Sequence, residues 1–468
     1  MINKIYQKYT LIFSLLILTA SCTKLDLVPT DSISPDKAFR NISDINLGVL
    51  GAYALIEGNT IGIVSTVSDE ATYPNENTVG NNSAFRWLYN SASGSVTSQY
   101  STGYIAIDRI NRTIAGLDAL NLTGADATLG ARYRGELLAL RAYFHLELLQ
   151  HFASSYQTGA MGVPYMKIST ISYPARDNFE VVIAEAKADL VSAKALIPAS
   201  FNDKTRITKI AIAAIQARIA LYEKNWPEAI TYSSEAIAAF PLATKTQFPG
   251  LWTDANDSEV IWKAKRVGTS DSRLGDFYYR QTGGIVLYAP AFKLIAAFDA
   301  VNDIRYPAYI KFDPTRTGLN QSLYLVNKYI GGTSSAKGLA DIKLFRTGEM
   351  YLIRAEAEAE STGDAAGDLN FLRAARINGY VNATFADKPT LITAILNERY
   401  KELAFEGHRF FDLKRRGLAV QRLAADAVNA NGAITLLPTQ AQYSFPIPSA
   451  EIAINKQTKQ NPGYQTQP

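Results

Sequence analysis

Cys22 is the residue whose type and position most clearly indicate a chemical modification. It is the only cysteine among 468 residues, and it follows the apolar run Thr10–Ala20 and then Ser21. A basic start with Lys4 and Lys8, a short apolar core and small residues before a cleavage point are typical of a secretory signal. The run is shorter than the ~20 apolar residues that a membrane-spanning helix needs. We therefore predict that residues 1–21 are removed and that the thiol of Cys22 is acylated, as in a bacterial lipoprotein.

The sequence before Cys22 departs from the usual lipoprotein signal at one position. Thr19 stands three places before the cysteine, where such signals usually carry Leu, and Leu18 lies one place further back. An ordinary signal peptide with a spare cysteine beside it is the alternative. Acylation contributes ~0.8 kcal/mol of membrane affinity per buried CH₂, so several acyl chains would anchor the mature chain firmly to a membrane through its N-terminus.

Motifs of common catalytic and metal sites are absent from the sequence. There is no HExxH, no GxSxG, no glycine-rich phosphate loop and no Cys-His metal spacing. His145, His151 and His408 do not have the i, i+4 spacing that lets one helix bind a metal. The adjacent Asp69 and Glu70 would suit glycoside hydrolysis only if the fold placed them on both sides of a sugar bond. A hydrolase stays an alternative, and we predict a non-enzyme that needs no cofactor and no metal.

Composition excludes further function classes. The 47 basic and 43 acidic residues are spread evenly, so no basic block indicates nucleic-acid binding. No second stretch of ~18 apolar residues follows the signal, so no other segment is predicted to span a membrane. Tyrosine is plentiful, with 26 residues beside 4 Trp. A tyrosine ring is apolar while its hydroxyl forms hydrogen bonds, which suits flat and partly polar ligands.

Apolar periodicity predicts a mainly α-helical protein whose helices carry two large loop-rich inserts. The helices are expected at Asp44–Ile56, Tyr100–Leu120, Ala131–Phe152, Glu180–Leu196, Ile207–Glu223, Pro227–Phe240, Ile342–Ser361, Asp368–Arg376 and Thr390–Phe405. Short strands are expected at Val260–Ala264 and Leu323–Tyr329. The lead-in 23–40 is predicted to be extended because of its prolines. The pair 207–240 fits the tetratricopeptide scheme of two helices in ~34 residues, in degenerate form.

The predicted organisation is a single domain after the signal, from residue 22 to 468. Its helical scaffold comprises residues of about 40–57, 100–240 and 342–425. The first loop region spans about 58–98, and the second loop region spans about 241–340. Residues 429–468 lack periodicity and are predicted to close the fold as coil and turns.

One segment near the C-terminus carries the strongest family signal. Residues 397–417, NERYKELAFEGHRFFDLKRRG, closely resemble a hallmark segment of the SusD/RagB family. RGELLALRAYFHLELLQHF at 134–152 resembles a long helix of that family, and the alanine-rich 207–240 resembles its helical hairpin. EMYLIRAEAEAE at 349–360, DLNFLRAAR at 368–376, YSFPIPSAEI at 443–452 and QNPGY at 460–464 resemble later segments in the same order. The resemblance covers nearly all of the mature chain and predicts a SusD-like fold.

The resemblance implies a function. Members are outer-membrane, nutrient-binding lipoproteins of Bacteroidetes that sit on the cell surface over a SusC-like TonB-dependent transporter barrel. They capture an oligosaccharide, or in some branches a peptide, and deliver it to the barrel without catalysis. Peptide capture and a transporter lid with little ligand affinity of its own stay open as alternatives. The family's ligand residues vary among members, so the resemblance places the ligand site only by region.

By the resemblance, both loop regions are expected to supply ligand contacts, as in the members that bind glycans. Sugar rings stack on aromatic faces, and sugar hydroxyls bond to amide, carboxylate and guanidinium groups. The predicted ligand-binding residues of the first loop region are Asp69, Tyr73, Asn75, Asn77, Arg86, Trp87 and Tyr89. Those of the second are Tyr278, Tyr279, Arg280 and Tyr288. Trp87 is the leading candidate, with core packing as the alternative, and packing is likewise the alternative for Tyr278 and Tyr279. Trp226, Trp252 and Trp262 are predicted to be structural.

Overall fold

The computed structural model describes residues 35–464 except residues 81, 269–270, 281–282 and 332–337. The signal segment and Cys22 lie outside the described residues. Within the described ranges, no helix combines the length and the apolar character needed to cross a membrane.

The protein is mainly α-helical, as predicted, and its longest helices fall in the predicted scaffold. The described α-helices are α1 (Pro35–Ala38), α2 (Ile42–Tyr53), α3 (Asn59–Val67), α4 (Gly94–Asp118), α5 (Gly124–Phe152), α6 (Phe179–Leu196), α7 (Lys209–Glu223), α8 (Trp226–Ala239), α9 (Phe248–Trp252), α10 (Leu274–Tyr278), α11 (Phe292–Ala297), α12 (Arg305–Tyr309), α13 (Thr347–Glu360), α14 (Ala365–Arg376), α15 (Lys388–Glu402), α16 (Arg409–Arg416) and α17 (Ser449–Ile454). Short 3₁₀ turns occur at Ala424–Ala427 and Ala441–Tyr443.

The strands are short, and they belong mostly to the loop regions. They are β1 (Ala71–Thr72), β2 (Val260–Ala264), β3 (Tyr279–Arg280), β4 (Ile285–Val286), β5 (Ala289–Pro290), β6 (Ile310–Phe312), β7 (Tyr324–Val326), β8 (Ile342–Arg346), β9 (Val420–Gln421) and β10 (Thr435–Leu436). Each described strand forms an antiparallel pair with one partner: β1 with β5, β2 with β8, β3 with β4, β6 with β7, and β9 with β10. The β1–β5 pair joins the first loop region to the second.

The predicted helical hairpin is confirmed as α7 and α8, and local sequence explains its turn. The side chain of Thr208 accepts a hydrogen bond from the Ala211 amide at the start of α7. Lys224 ends that helix in the left-handed conformation, with φ at 60°. The side chain of Asn225 then caps α8, where Pro227 occupies the first turn. These local signals set the tight turn between the two helices.

Neighbouring helices pack side by side through the scaffold. α5 packs against both α4 and α6, and α13 packs against α8, α14 and α15. A Cβ at Gly135 of α5 would lie 2.8 Å from Ile197 and 3.0 Å from the Ala193 carbonyl oxygen. Glycine at this position therefore permits the close approach of α5 and α6.

Several elements differ from the predictions, among them helix α17 and strand β10 in the segment that was expected to be coil and turns. Residues Ile342–Arg346 were predicted to begin a helix, but they form strand β8, and the helix begins only at Thr347. The expected loop contains α3, which was missed because residues 61–67 are all buried and show no one-sided periodicity. The hallmark segment contains the additional helix α16. The lead-in predicted to be extended contains the short helix α1, which begins at a proline.

A buried cluster of charges joins the scaffold to the second loop region. This central ion cluster comprises Glu259, Arg305, Arg346, Arg376 and Glu402, all at most 1% exposed. Glu402 lies 2.9 Å from Arg305, 3.1 Å from Arg376 and 2.5 Å from Arg346. Burial raises the pKa of the Glu402 carboxyl, but the three guanidinium groups outweigh this effect and hold the pKa well below its ordinary value.

Candidate functional site

The first loop region is held together by an arginine from a distant part of the sequence. Arg422 is buried and donates hydrogen bonds to the carbonyl oxygens of Ser68, Phe85 and Thr66 at 3.1, 2.6 and 2.9 Å. Its guanidinium lies 4.2 Å from the ring centroid of Trp87. Burial lowers the pKa of Arg422 to about 9. One side chain thus fixes the path of a segment that has little regular structure.

Trp87, the leading predicted ligand residue, is part of this packing. Its side chain is 7% exposed, its ring Nε1 donates to the Val67 carbonyl at 2.9 Å, and Arg422 covers its ring. The structure therefore corrects the expectation that Trp87 offers an open stacking face. Tyr89 is also buried, and its hydroxyl bonds to the Gln442 carbonyl.

Asp69 is buried and paired with two cations. Its carboxylate accepts hydrogen bonds from Arg409 at 2.7 and 2.9 Å and from Lys293 at 2.7 Å. Burial raises the pKa of this carboxyl, but the charges and hydrogen bonds of Arg409 and Lys293 lower it to about 2. Asp69 thus ties the first loop region to the hallmark segment, and it is inaccessible to a ligand.

Glu70 is also fully buried but lacks a comparable pairing. It accepts a hydrogen bond from the Phe405 amide at 3.0 Å and one from the Ser65 hydroxyl at 3.4 Å. Burial, together with the charge of Asp69, raises the pKa of Glu70 to about 8 despite the Phe405 hydrogen bond. Since both carboxyl groups lie inside the packing, this pair cannot flank a sugar bond.

The raised pKa makes Glu70 a source of pH-dependent stability. Between pH 4.5 and about 8 the carboxyl group of Glu70 is ionised in the unfolded chain but keeps its proton in the folded chain. The free energy of unfolding therefore falls as the pH rises through this window. We expect Glu70→Gln to gain stability relative to the wild type across this window, because glutamine keeps the shape without the proton. Urea unfolding of both proteins at pH 5 and pH 8 measures the change. If the two proteins differed in unfolding free energy by the same amount at pH 5 and at pH 8, the raised pKa of Glu70 would be contradicted.

Three predicted residues of the second loop region lie close together in sequence but in different environments. Tyr278 is buried, with its hydroxyl 2.9 Å from the Ser65 hydroxyl, so it is a packing residue. Tyr279 is half-buried, and Arg316 lies over its ring at 5.8 Å. Arg280 is exposed at the end of β3. Of these three residues, Arg280 is the most exposed.

An open groove lies where the two loop regions meet the C-terminal segment. Its volume is about 170 Å³. We call it the aromatic groove, and it is lined by Thr72, Tyr73, Pro74, Asn75, Ala289, Pro290, Phe292, Asn320, Gln321, Ser322, Tyr324, Ala425, Val428 and Asn429. Of the described residues that line this groove, none carries a charge. Aromatic, amide and hydroxyl groups therefore provide its chemistry.

The aromatic groove contains exposed rings. Phe292 is 45% exposed, and its ring stands edge-on to Tyr324 with centroids 6.2 Å apart. Tyr324 also contacts Phe312, an exposed ring outside the groove lining, with centroids 5.2 Å apart. These three residues form a strip of aromatic surface that no prediction named. They lie in the second loop region, but apolar sequence context gave no signal that their rings would face outward.

Amide groups border these rings. The side chain of Asn429 donates to the exposed Asn75 side chain at 2.8 Å and to the Tyr73 carbonyl at 2.9 Å. Arg86 donates to the Asn429 carbonyl at 2.9 Å from outside the groove, so it supports this edge. Asn77 is buried and bonds to the Leu287 carbonyl. Of the predicted residues, Tyr73 and Asn75 therefore line the groove, while Arg86 and Asn77 hold its loops.

A half-buried carboxylate fastens the two loop regions to each other. Glu76 accepts hydrogen bonds from the Arg316 guanidinium at 2.6 Å, the Ser322 amide at 2.7 Å and the Val286 amide at 3.1 Å. Sequence reasoning missed this residue because its partners are more than 200 positions away. The hydrogen bond to the Ser322 amide fixes the chain just before β7, and this sets the position of Tyr324.

Two tyrosine rings in contact connect the aromatic groove to a second, larger cleft. Tyr73 lines the aromatic groove, and its ring meets Tyr288 edge-on with centroids 5.8 Å apart. Tyr288, a predicted ligand residue, lines a cleft of about 280 Å³. In the described part of the chain, no group of three His, Cys, Asp or Glu residues is placed to bind a metal ion.

Comparison with known proteins gives concordant matches. Residues 305–464 match the model of the SusD family, and residues 29–221 match a model described as starch-binding and associating with the outer membrane. SusD-like protein P2 of Formosa agariphila is 21% identical across 98% of this chain and 100% of its own length. The starch-binding protein SusD of Bacteroides thetaiotaomicron is 35% identical over 126 residues, which are 26% of this chain and 22% of that protein.

The fold has close structural counterparts. A crystal structure of a SusD superfamily protein from Bacteroides thetaiotaomicron superposes with a TM-score of 0.80. It covers 90% of this chain and 100% of its own chain at 20% identity. At this identity the match establishes the shared fold.

Proposed function

Because the chain belongs to the SusD/RagB family, we propose that it captures neutral oligosaccharides in the aromatic groove and delivers them to a SusC-like TonB-dependent transporter. It acts as a lipoprotein of the outer membrane, anchored through Cys22 and exposed at the cell surface. The family model that covers its N-terminal part is described as starch-binding and outer-membrane-associated, which supports this assignment.

The uncharged lining of the aromatic groove carries the proposal. Sugar rings have apolar faces that pack on aromatic rings, and Phe292 and Tyr324 present such rings at the surface. Asn75, Asn320 and Gln321 place amide donors and acceptors beside them, which match sugar hydroxyls. Glucose polymers such as starch are neutral and carry no group that would need a charged partner here.

The same lining distinguishes the sugar proposal from peptide capture. Peptides bring charged termini and often charged side chains, and burying such a charge without a partner is costly. The described lining of the aromatic groove offers no cation and no carboxylate for them. This lining favours the capture of sugars over the capture of peptides. The proposed capture involves no catalysis, and the burial of Asp69 and Glu70 within the fold supports this part of the proposal.

A binding screen tests this proposal. The mature chain with Cys22→Ala remains unacylated and can be run through native gels that contain starch, other neutral polysaccharides or a protein digest. We expect slower migration in at least one neutral polysaccharide gel and unchanged migration with the digest. Retardation by peptides alone would overturn the proposal in favour of peptide capture. Unchanged migration in every gel would overturn it in favour of a lid without ligand affinity.

A further inference from the structure

The segment that follows the hallmark segment reaches both walls of the aromatic groove. Ala425, Val428 and Asn429 line the groove, and Asp426 lies between them in the sequence. Asp426 is itself 1% exposed and does not line the groove, so it is not one of the groups that a captured sugar would touch. The proposed capture of neutral oligosaccharides assigns no role to this buried carboxylate.

The carboxylate of Asp426 binds the backbone on both sides of the Phe292 side chain. Its Oδ1 accepts a hydrogen bond from the Phe292 amide at 2.6 Å, and its Oδ2 accepts one from the Lys293 amide at 3.1 Å. These two amides belong to the peptide groups before and after the Phe292 Cα. A residue has two soft backbone angles, and these angles turn its flanking peptide groups. Holding both peptide groups therefore fixes the direction in which the Phe292 ring leaves the backbone.

The main chain of Asp426 holds the facing wall of the groove. Its carbonyl oxygen accepts a hydrogen bond from the Thr72 hydroxyl at 2.8 Å, and Thr72 lines the groove in the first loop region. Close by, the Ala291 amide donates to the Glu70 carbonyl at 2.9 Å, which extends the β1–β5 pair. One residue from a distant part of the sequence thus joins the two walls of the groove.

The charge of Asp426 is met by amides and not by a cation. In the part of the chain that the structure describes, Asp426 has no ion-pair partner, and the Lys293 ammonium is bonded to Asp69 at 2.7 Å. Burial raises the pKa of the Asp426 carboxyl, and the two amide hydrogen bonds and the charge of Arg422 offset this rise only in part. A buried carboxylate without a partner cation costs folding free energy. Stability therefore does not account for a carboxylate here, whereas the orientation of the Phe292 backbone does.

We propose that Asp426 is a positioning residue for sugar capture, which holds the Phe292 ring in its binding orientation before a sugar arrives. This inference rests on the proposed function of the aromatic groove. Phe292 is 45% exposed, so side-chain packing alone restrains its ring weakly. A ring that is already fixed loses little conformational freedom when a sugar packs on it, and the ordering cost of binding is smaller. Asp426 acts through Phe292 and touches no sugar.

Two substitutions remove the hydrogen bonds in steps. Asp426→Asn keeps the size of the side chain and one acceptor oxygen, but it turns an NH₂ group towards the second amide, and Asp426→Ala removes both acceptors. Asp299→Asn is the matched control, because Asp299 also accepts hydrogen bonds from two backbone amides, those of Val301 and Asn302, at 2.9 and 3.0 Å. Asp299 belongs to the same loop region but lies outside the groove lining. The parent protein is the mature Cys22→Ala chain.

Fluorine NMR of the sugar-free protein tests the orientation of the ring directly. The parent and each variant carry para-fluorophenylalanine at position 292, and circular dichroism checks that each is folded. We expect one narrow resonance from the parent and from Asp299→Asn. Asp426→Asn should broaden or split this resonance, and Asp426→Ala should do so more strongly. An unchanged resonance in the folded Asp426 variants would overturn the positioning role, whatever their sugar affinity.

Calorimetric titration with the neutral oligosaccharide that the gel screen selects tests the link to capture. One side chain that must be ordered on binding weakens affinity by about 3- to 10-fold, so we expect a loss in this range for the Asp426 variants and none for Asp299→Asn. Unchanged affinity in the Asp426 variants, or an equal loss in the control, would overturn the inference. A parent that binds no neutral sugar, with the expected fluorine spectra, would count against the proposed function and support the positioning of Phe292 by Asp426.

Discussion

Replacing Glu402 by glutamine is expected to lower the free energy of unfolding by about 3–5 kcal/mol. Glu402 lies between Arg305, Arg346 and Arg376, and all four side chains are at most 1% exposed. Glutamine keeps the size of the side chain but removes its negative charge. The remaining carboxylates then face an excess of buried positive charge that water cannot reach.

Urea unfolding at pH 7, monitored by circular dichroism, measures this loss. The control is Glu185→Gln, which removes a carboxylate paired with Lys167 at the surface. Exposed pairs contribute about 0–1 kcal/mol, so the control should differ little from the wild type. Equal stabilities for the two variants would show that the central ion cluster does not hold the scaffold and the second loop region together.

The double variant Phe292→Ala, Tyr324→Ala is expected to weaken neutral oligosaccharide binding by a factor of about 30 to 1000. Each ring that covers a sugar face contributes roughly 1–2 kcal/mol through the apolar area that leaves water. The two losses together amount to about 2–4 kcal/mol, which gives that range of dissociation constants. Both rings are partly exposed, so the fold should persist.

Isothermal titration with the best oligosaccharide of the gel screen checks the expected loss. Phe371→Ala serves as the control, because Phe371 is 57% exposed on α14 and stacks on Tyr351 of the scaffold at 5.2 Å. This variant removes an exposed ring of the same type outside both loop regions. If the control and the double variant lost affinity equally, or if neither lost it, the aromatic groove would not be the sugar site.

The long helices could be predicted from sequence, including α7, whose residues 211–222 are all buried, whereas the short helix α3 and strand β8 could not. The hairpin of α7 and α8 followed from alanine spacing and from Pro227 at the start of α8. Helix α3 presents no exposed face along residues 61–67, which are all buried. Strand β8 runs directly into α13, and no glycine or proline in residues 342–346 marks the boundary. These residues form a strand because they pair with β2. Long-range strand pairing leaves no periodic trace in a local window, and an element as short as α3 offers too few residues for its period to be recognised.

The site was predictable by region but only partly by residue. Tyr73 and Asn75 do line the aromatic groove, and Tyr288 lines the second cleft. Trp87 was chosen because loop sequence suggested exposure, yet Arg422 covers its ring from 335 positions further along the chain. No sequence pattern near Trp87 indicates a partner as distant as Arg422. Phe292 and Tyr324 were missed for the converse reason, since apolar sequence around them suggested burial.

The most direct test of the central claim is a crystal structure of the mature Cys22→Ala chain with the tightest-binding neutral oligosaccharide. The proposed function predicts sugar rings within about 4 Å of Phe292 and Tyr324, with hydroxyls bonded to the amides of Asn75 and Asn320. Density for the sugar on the helical scaffold, or in the second cleft alone, would contradict capture by the aromatic groove.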